Sequence, residues 1–158
     1  MTLQRYPTIE QLVPHRAPMI LIDDVVSADG ESISCSVNIS ADSIMFDETL
    51  NGIPAHTGIE FMAQSIAALA GLNARAENQP PSIGFLLGAR RYKHYGKHFE
   101  NNKTYLIHAE LLMRDDNMGV YNCQIECGGQ LVAKGQVNTY APEQAFLAAF
   151  NQQCDEKS

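Results

Sequence analysis

Residues 57–73 read TGIEFMAQSIAALAGLN, and this stretch decides the architecture. Ile59, Met62, Ala63, Ile66, Ala67, Leu69 and Ala70 recur at helical spacing, and alanines fill most of what remains, so the periodicity predicts a helix. Thr57 stands where it can cap the N-terminus, with Glu60 three residues on in a T-x-x-E capping-box pattern. Glu60 is the only ionisable residue of the stretch. A helix that is apolar nearly all round is buried, not laid on a surface. The rest of the chain must therefore wrap it.

Working outward, residues 31–40 alternate: Ile33, Cys35, Val37 and Ile39 fall on one face, Ser32, Ser34, Ser36 and Asn38 on the other. A short apolar run at 19–27 precedes them across Asp29-Gly30, a hairpin signal. Residues 41–55, with Asp, Asn, Gly and Pro spaced through them, read as a loop, and ARAENQPPS at 74–82 is a polar break. Strand-like runs follow at 83–91, 104–114, 119–127 and 131–140. The second and third are joined by Asp-Asp-Asn, the third and fourth by Gly128-Gly129. A short C-terminal helix is expected at 143–152. Two strands, one long buried helix and a four-strand meander predict an α+β two-layer fold, with the helix lying across a curved antiparallel sheet.

The chain has 158 residues, a single domain's worth. Hydrophobic residues make up 45% and charged residues 18%, which excludes a disordered tail. Eleven basic against eighteen acidic residues give a formal charge of -7, the wrong sign for a non-specific nucleic-acid binder. The N-terminus has no apolar run behind a basic start, so no secretory signal is expected. The most apolar stretch, 61–72, falls short of the roughly 20 residues that cross a bilayer, so no membrane insertion is expected. Cysteines stand at 35, 123, 127 and 154 without a C-x-x-C pair. Cys123 and Cys127 on one strand would lie about 13 Å apart, too far for a disulfide or a shared metal. Reduced thiols in a cytoplasmic protein are the expectation.

Three segments carry a resemblance. Residues 12–23, LVPHRAPMILID, look like the opening L-P-H-R-x-P-x-L-L-x-D of the hotdog-fold 3-hydroxyacyl-acyl-carrier-protein dehydratases. Ile53-Pro54-Ala55, followed by Gly58-Ile59-Glu60-Phe61-Met62-Ala63-Gln64, resembles that family's M-P-G-V-x-x-x-E-A-M-A-Q without gaps, and residues 85–93, FLLGARRYK, resemble the strand after its helix. The P-H-x-A-P-M opening is closest to the aryl-polyene (ApeP-like) branch. The likeness covers about residues 11–141 and implies one hotdog domain over 1–158. It implies dehydration of 3-hydroxyacyl thioesters to trans-2-enoyl thioesters in fatty-acid- or aryl-polyene-type biosynthesis. The substrate would ride on the phosphopantetheine of an acyl carrier protein, with no metal or other cofactor. The family joins the sheets of two protomers, each site drawing its His from one chain and its acid from the other. One element departs from the pattern: fourteen residues before Glu60, where the family has the His of its H-F-P-G turn, this chain has Phe46.

Dehydration needs a base for the α-proton, an acid for the departing 3-hydroxyl, and donors for the thioester oxygen. Glu60 is the candidate acid: desolvation there favours the proton-donating form, the helix N-terminus favours the carboxylate, and burial decides between them. Its alternative role is a plain capping carboxylate. Ala55, Thr57 and Gly58 are candidate substrate contacts, and the N–H groups from Thr57 to Glu60 a candidate oxyanion site. Gln64, one turn on, is placed to orient Glu60 or the substrate amide, or to be an ordinary buried polar partner. His56 is either the base or a loop histidine; His15 reads as the family's structural P-H-R histidine, and His108 as an exposed strand position. His94 and His98 stand four apart, but on strand and loop, which is no helical metal site. Five of the eleven basic residues fall at 90–103. Arg90, Arg91, Lys93 and Lys97 among them either protect a strand edge or dock an acidic carrier.

A chain with the acid but not the usual His is intelligible as a homodimer using His56, or as a heterodimer whose second hotdog subunit supplies the His. The alternatives are a hotdog acyl thioesterase and a non-catalytic acyl-binding subunit.

Overall fold

The computed structural model describes residues 6–79 and 85–140. A one-turn helix α1 (Ile9–Leu12) is followed by strands β1 (Asp24–Ala28), β2 (Ser32–Asn38) and β3 (Gly52–Pro54) and a 3-10 turn (Ala55–Thr57). Helix α2 (Gly58–Ala76) then leads to β4 (Phe85–His94), β5 (His98–Glu100), β6 (Thr104–Asp115), β7 (Met118–Cys127) and β8 (Gln130–Tyr140). The main sheet is antiparallel in the order β1-β2-β6-β7-β8-β4, and β3 pairs with β5 beside it. This is the hotdog arrangement, one long helix against a curved antiparallel sheet.

The period-two pattern puts Cys35, Val37, Tyr105, Ile107, Cys123, Ile125, Ala133 and Val137 on the inner face, all buried. Against them α2 buries Phe61, Met62, Ile66, Ala68 and Leu69, each large side chain contributing about 1.5–3 kcal/mol. Register shifts in β1, β4 and the β6–β7 and β7–β8 ladders bend the sheet around the helix. Gly128 and Gly129 close the β7–β8 hairpin at φ +58° and +81°, the pair of left-handed conformations that a two-residue turn demands. On the outer face Ser34 Oγ lies 2.5 Å from His108 Nδ1 and Glu126 Oε1 lies 3.2 Å from Nε2, tying β2, β6 and β7 together.

Several elements differ from the sequence expectation. The central helix runs three residues past Asn73, to Ala76. The first strand begins at Asp24 and not near 19, because the backbone at Met19 and Leu21 is bonded to a side chain of α2 instead of a strand. The presumed loop at 41–55 contains β3, which pairs with β5, and β5 itself lies in a segment with no clear alternation. The C-terminal helix expected at 143–152 lies outside the described residues.

Burial pushes the Cys35 thiol up to about 11 and that of Cys123 up to about 12, so neither offers a thiolate near neutral pH. Cys127 is only half-buried. Peptide mass spectrometry after labelling with a thiol reagent at pH 8 should find Cys127 modified in the native protein. Cys35 and Cys123 should be modified only after unfolding.

Candidate active site

The β3–β5 pair, with Ile53 opposite Phe99, delivers the chain to the 3-10 turn at the head of α2. That turn changes the helix start. Thr57 already has helical angles, φ -63° and ψ -19°, and its hydroxyl makes no capping bond. A capping side chain needs an extended residue, so the T-x-x-E capping box expected from the sequence does not form. Thr57 is 3% exposed, and its Oγ1 has no hydrogen-bond partner. The row of free N–H groups expected from Thr57 to Glu60 is also reduced, because the Gly58 N–H donates back to the Ala55 carbonyl. That carbonyl also accepts the Tyr92 hydroxyl at 2.5 Å. Tyr92 reaches it from β4, and burial pushes its phenol up to about 12, so it remains a donor. A Cβ on Gly58 would collide with the Tyr92 hydroxyl and lie 3.0 Å from Phe99 Cζ. Glycine is required here for close approach.

With capping excluded, Glu60 is held from another direction. Gln64, one turn on and 1% exposed, donates from Nε2 to Glu60 Oε1 at 3.1 Å and to the Met19 carbonyl at 2.9 Å. Its Oε1 accepts the Leu21 N–H at 2.8 Å. Both amide donors and the acceptor are thus engaged within the protein, leaving Gln64 to orient Glu60 and anchor the N-terminal segment. That segment brings His15 Nε2 to 3.6 Å from the same Glu60 oxygen, beyond hydrogen-bond range but close enough for electrostatic attraction when the imidazole is charged. Oε1 therefore faces both the amide and the imidazole, and Oε2 is the oxygen left for other work. The Glu60 side chain is 41% exposed and that of His15 32%.

His56 sits exposed on the 3-10 turn, with no side-chain hydrogen bond or ion pair among the described residues. The sequence marked His56 as the imidazole nearest Glu60 along the chain. The fold instead brings His15 to Glu60, across 45 positions. No local signal marks that approach; only the P-H-R motif drew attention to His15. Phe46, at the family's His position, is half-buried and packs against the core.

Arg90, Arg91 and Lys93 are exposed on β4, with Arg91 in a left-handed bulge at φ +56°. Lys93 Nζ lies 5.0 Å from the Tyr95 ring centroid. Lys97 stands apart, lining a cleft of about 530 Å³ with His94, His98, Lys103 and Tyr105. Among the described residues no group of three or more His, Cys, Asp or Glu is placed to hold a metal ion. No helix among them is long and apolar enough to cross a membrane.

Comparisons with known proteins agree with this geometry. A family model described as the ApeP dehydratase, ApeP-like, matches residues 7–151. The 3-hydroxyacyl-[acyl-carrier-protein] dehydratase FabZ of Acinetobacter baumannii is 26% identical over 133 residues, covering 82% of this chain and 90% of that protein. Among solved structures, the dehydratase heterocomplex ApeI:P from Xenorhabdus doucetiae superposes with a TM-score of 0.85 at 29% identity, over 92% of this chain and 98% of the matched chain. The E. coli PaaI protein from the phenylacetic acid degradation operon, at TM-score 0.58 and 14% identity over 74% of this chain and 81% of that one, shares the fold. The buried central helix, the carboxyl at its first turn and the match along nearly the whole chain place this protein in the ApeP-like dehydratase family of hotdog proteins.

Proposed function

We propose that this chain is the acid-bearing subunit of a two-subunit dehydratase that converts 3-hydroxyacyl thioesters on an acyl carrier protein to trans-2-enoyl thioesters. The carrying observation is that Gln64 holds Glu60 by one oxygen and leaves the other free, while the loop at 41–52 that bears the family's His has none here. In this reading a histidine of the second hotdog subunit removes the α-proton. The C–H electron pair forms the new double bond, the Cβ–O bond breaks, and Glu60, desolvated once the second subunit and the substrate cover its half-exposed side chain, passes a proton from Oε2 to the leaving hydroxyl, releasing water. Thr57 and Gly58, both buried, shape the turn behind the thioester and do not themselves contact it, and no cofactor beyond the phosphopantetheine of the carrier takes part.

Two features support a second subunit. Among the described residues strand β4, ten residues long, pairs only with β8 and leaves its other edge open, with Leu86 and Leu87 exposed at 42% and 54%. An edge of that length invites pairing with another strand. The matched ApeI:P structure is itself a heterocomplex.

The test is a dehydration assay on 3-hydroxyacyl-carrier protein, with enoyl product and free thiol both followed. The expected result is no turnover by the purified chain alone and enoyl formation after mixing with a His-bearing hotdog subunit. A homodimer that dehydrates unaided would overturn the two-subunit reading, and free thiol in place of enoyl product would identify a thioesterase.

A further inference from the structure

Strand register gathers cations that the sequence keeps apart. Lys93 on β4 stands directly opposite Lys134 on β8, and both are exposed. On the same outer face Arg90 stands opposite Gln136, whose amide is bonded to Asn122 Oδ1 at 3.4 Å. The next β7 position, opposite Lys134, is Gln124. Between Arg90 and Lys93 the β4 bulge turns Tyr92 inward against Gly135, where a Cβ would lie 3.3 Å from the Tyr92 Cα, and leaves Arg91 exposed.

Four cations, Arg90, Arg91, Lys93 and Lys134, thus share one corner of the sheet. Apart from the Lys93–Lys134 pair itself, the residues opposite Arg90 and Lys134, Gln136 and Gln124, are neutral amides. Among the described residues none of the four is in an ion pair; the carboxylate of Glu126, further along β7, is turned to His108. Like charges directly opposite one another destabilise a ladder. On a chain of net charge -7 this corner is the reverse of the average surface, and a closely apposed acidic surface would relieve its repulsion.

We propose that the outer β4–β8 corner, centred on the Lys93–Lys134 pair, is the docking surface for the acidic carrier protein. This rests on the dehydratase reading above and gives it a place on the surface. Lys97, on the cleft beyond the turn, lies outside the corner.

The test uses Lys93→Glu and Lys134→Glu, singly and together, in the assembled two-subunit enzyme. Each is measured on a 3-hydroxyacyl-carrier protein and on the same acyl group attached to pantetheine alone. Either single change replaces a repulsive pair by an attractive one, so the melting temperature should hold or rise. The KM for the carrier substrate should rise about tenfold, and more for the double variant, with turnover of the pantetheine substrate unchanged. The carrier KM of the wild type should also rise with salt, as screening shortens the reach of the charges. An unchanged carrier KM would overturn the docking surface while leaving the dehydratase reading intact. So would equal losses on both substrates, or loss of assembly with the second subunit, which would assign the corner to the subunit interface. Failure of the wild type on both substrates would instead overturn the dehydratase reading.

Discussion

Glu60→Gln is expected to lower turnover of the assembled enzyme by roughly 10²–10⁴-fold, the usual contribution of a positioned general acid. The substitution is conservative in space. A glutamine at 60 still offers an oxygen to Gln64 Nε2, which lies 3.1 Å from the native carboxylate, and the Gln64 bonds to Met19 and Leu21 do not involve residue 60. On the proposed mechanism what is lost is the proton delivered from the second oxygen, because an amide cannot pass one to a leaving hydroxyl. The defect should therefore fall on kcat with KM nearly unchanged, and the melting curve should match that of the wild type. Because the capping box is absent, Glu60 has no helix-capping role whose loss would unfold the helix start. Enoyl formation within about twofold of wild type would remove Glu60 from the mechanism and favour a chain that binds the acyl group while its partner does the chemistry. Substrate truncation offers a further check: a 3-deoxy analogue should bind both forms equally.

The largest expected effect on stability comes from Gly71→Ala. In an exposed helix this change would favour folding by roughly 0.5–1 kcal/mol. Here the sign reverses. A Cβ on Gly71 would collide with the Leu12 carbonyl oxygen and come within 2.8 Å of its carbon and 2.9 Å of its Cα. These are backbone atoms, and Leu12 is itself 1% exposed, so no flexible side chain can swing aside. Overpacking at such a contact costs about 1–3 kcal/mol. For a domain of this size each kcal/mol shifts the melting temperature by about 2–4 °C. The displaced residue leads directly into Val13, Pro14 and His15, so the variant should also weaken the approach of His15 to Glu60, which now stands at 3.6 Å. An unchanged or raised melting temperature would show that α1 is loosely held and that the Gly71–Leu12 contact is not part of the fold's support.

Much of this fold was legible because its signals are local. The helical spacing of residues 57–73 marked α2, since one buried stripe repeats every three to four residues whatever it packs against. The alternation from Ile33 to Ile39 marked β2, and the two glycines at 128 and 129 marked a hairpin, for equally local reasons. Glu60 and the cation cluster at Arg90, Arg91, Lys93 and Lys97 were visible by residue type and spacing. The capping box was a local inference that failed, because the 3-10 turn ahead of α2 gives Thr57 helical angles that the T-x-x-E spacing does not reveal.

What only the tertiary structure decided is which distant residues meet. His15 reaches Glu60, Gln64 clamps Met19 and Leu21, Leu12 lies on Gly71, and Lys134 faces Lys93, across 41 to 59 positions of chain. Strand β5, three residues long, exists because β3 is there to pair with it. Periodicity records which face of an element is apolar, because burial acts on each residue separately. It does not record register or helix crossing, which depend on how the bulges bend the sheet and where the loops close. The sequence by itself therefore determined the layers and the carboxyl in the first turn of α2, and the closure of the chain decided what surrounds them.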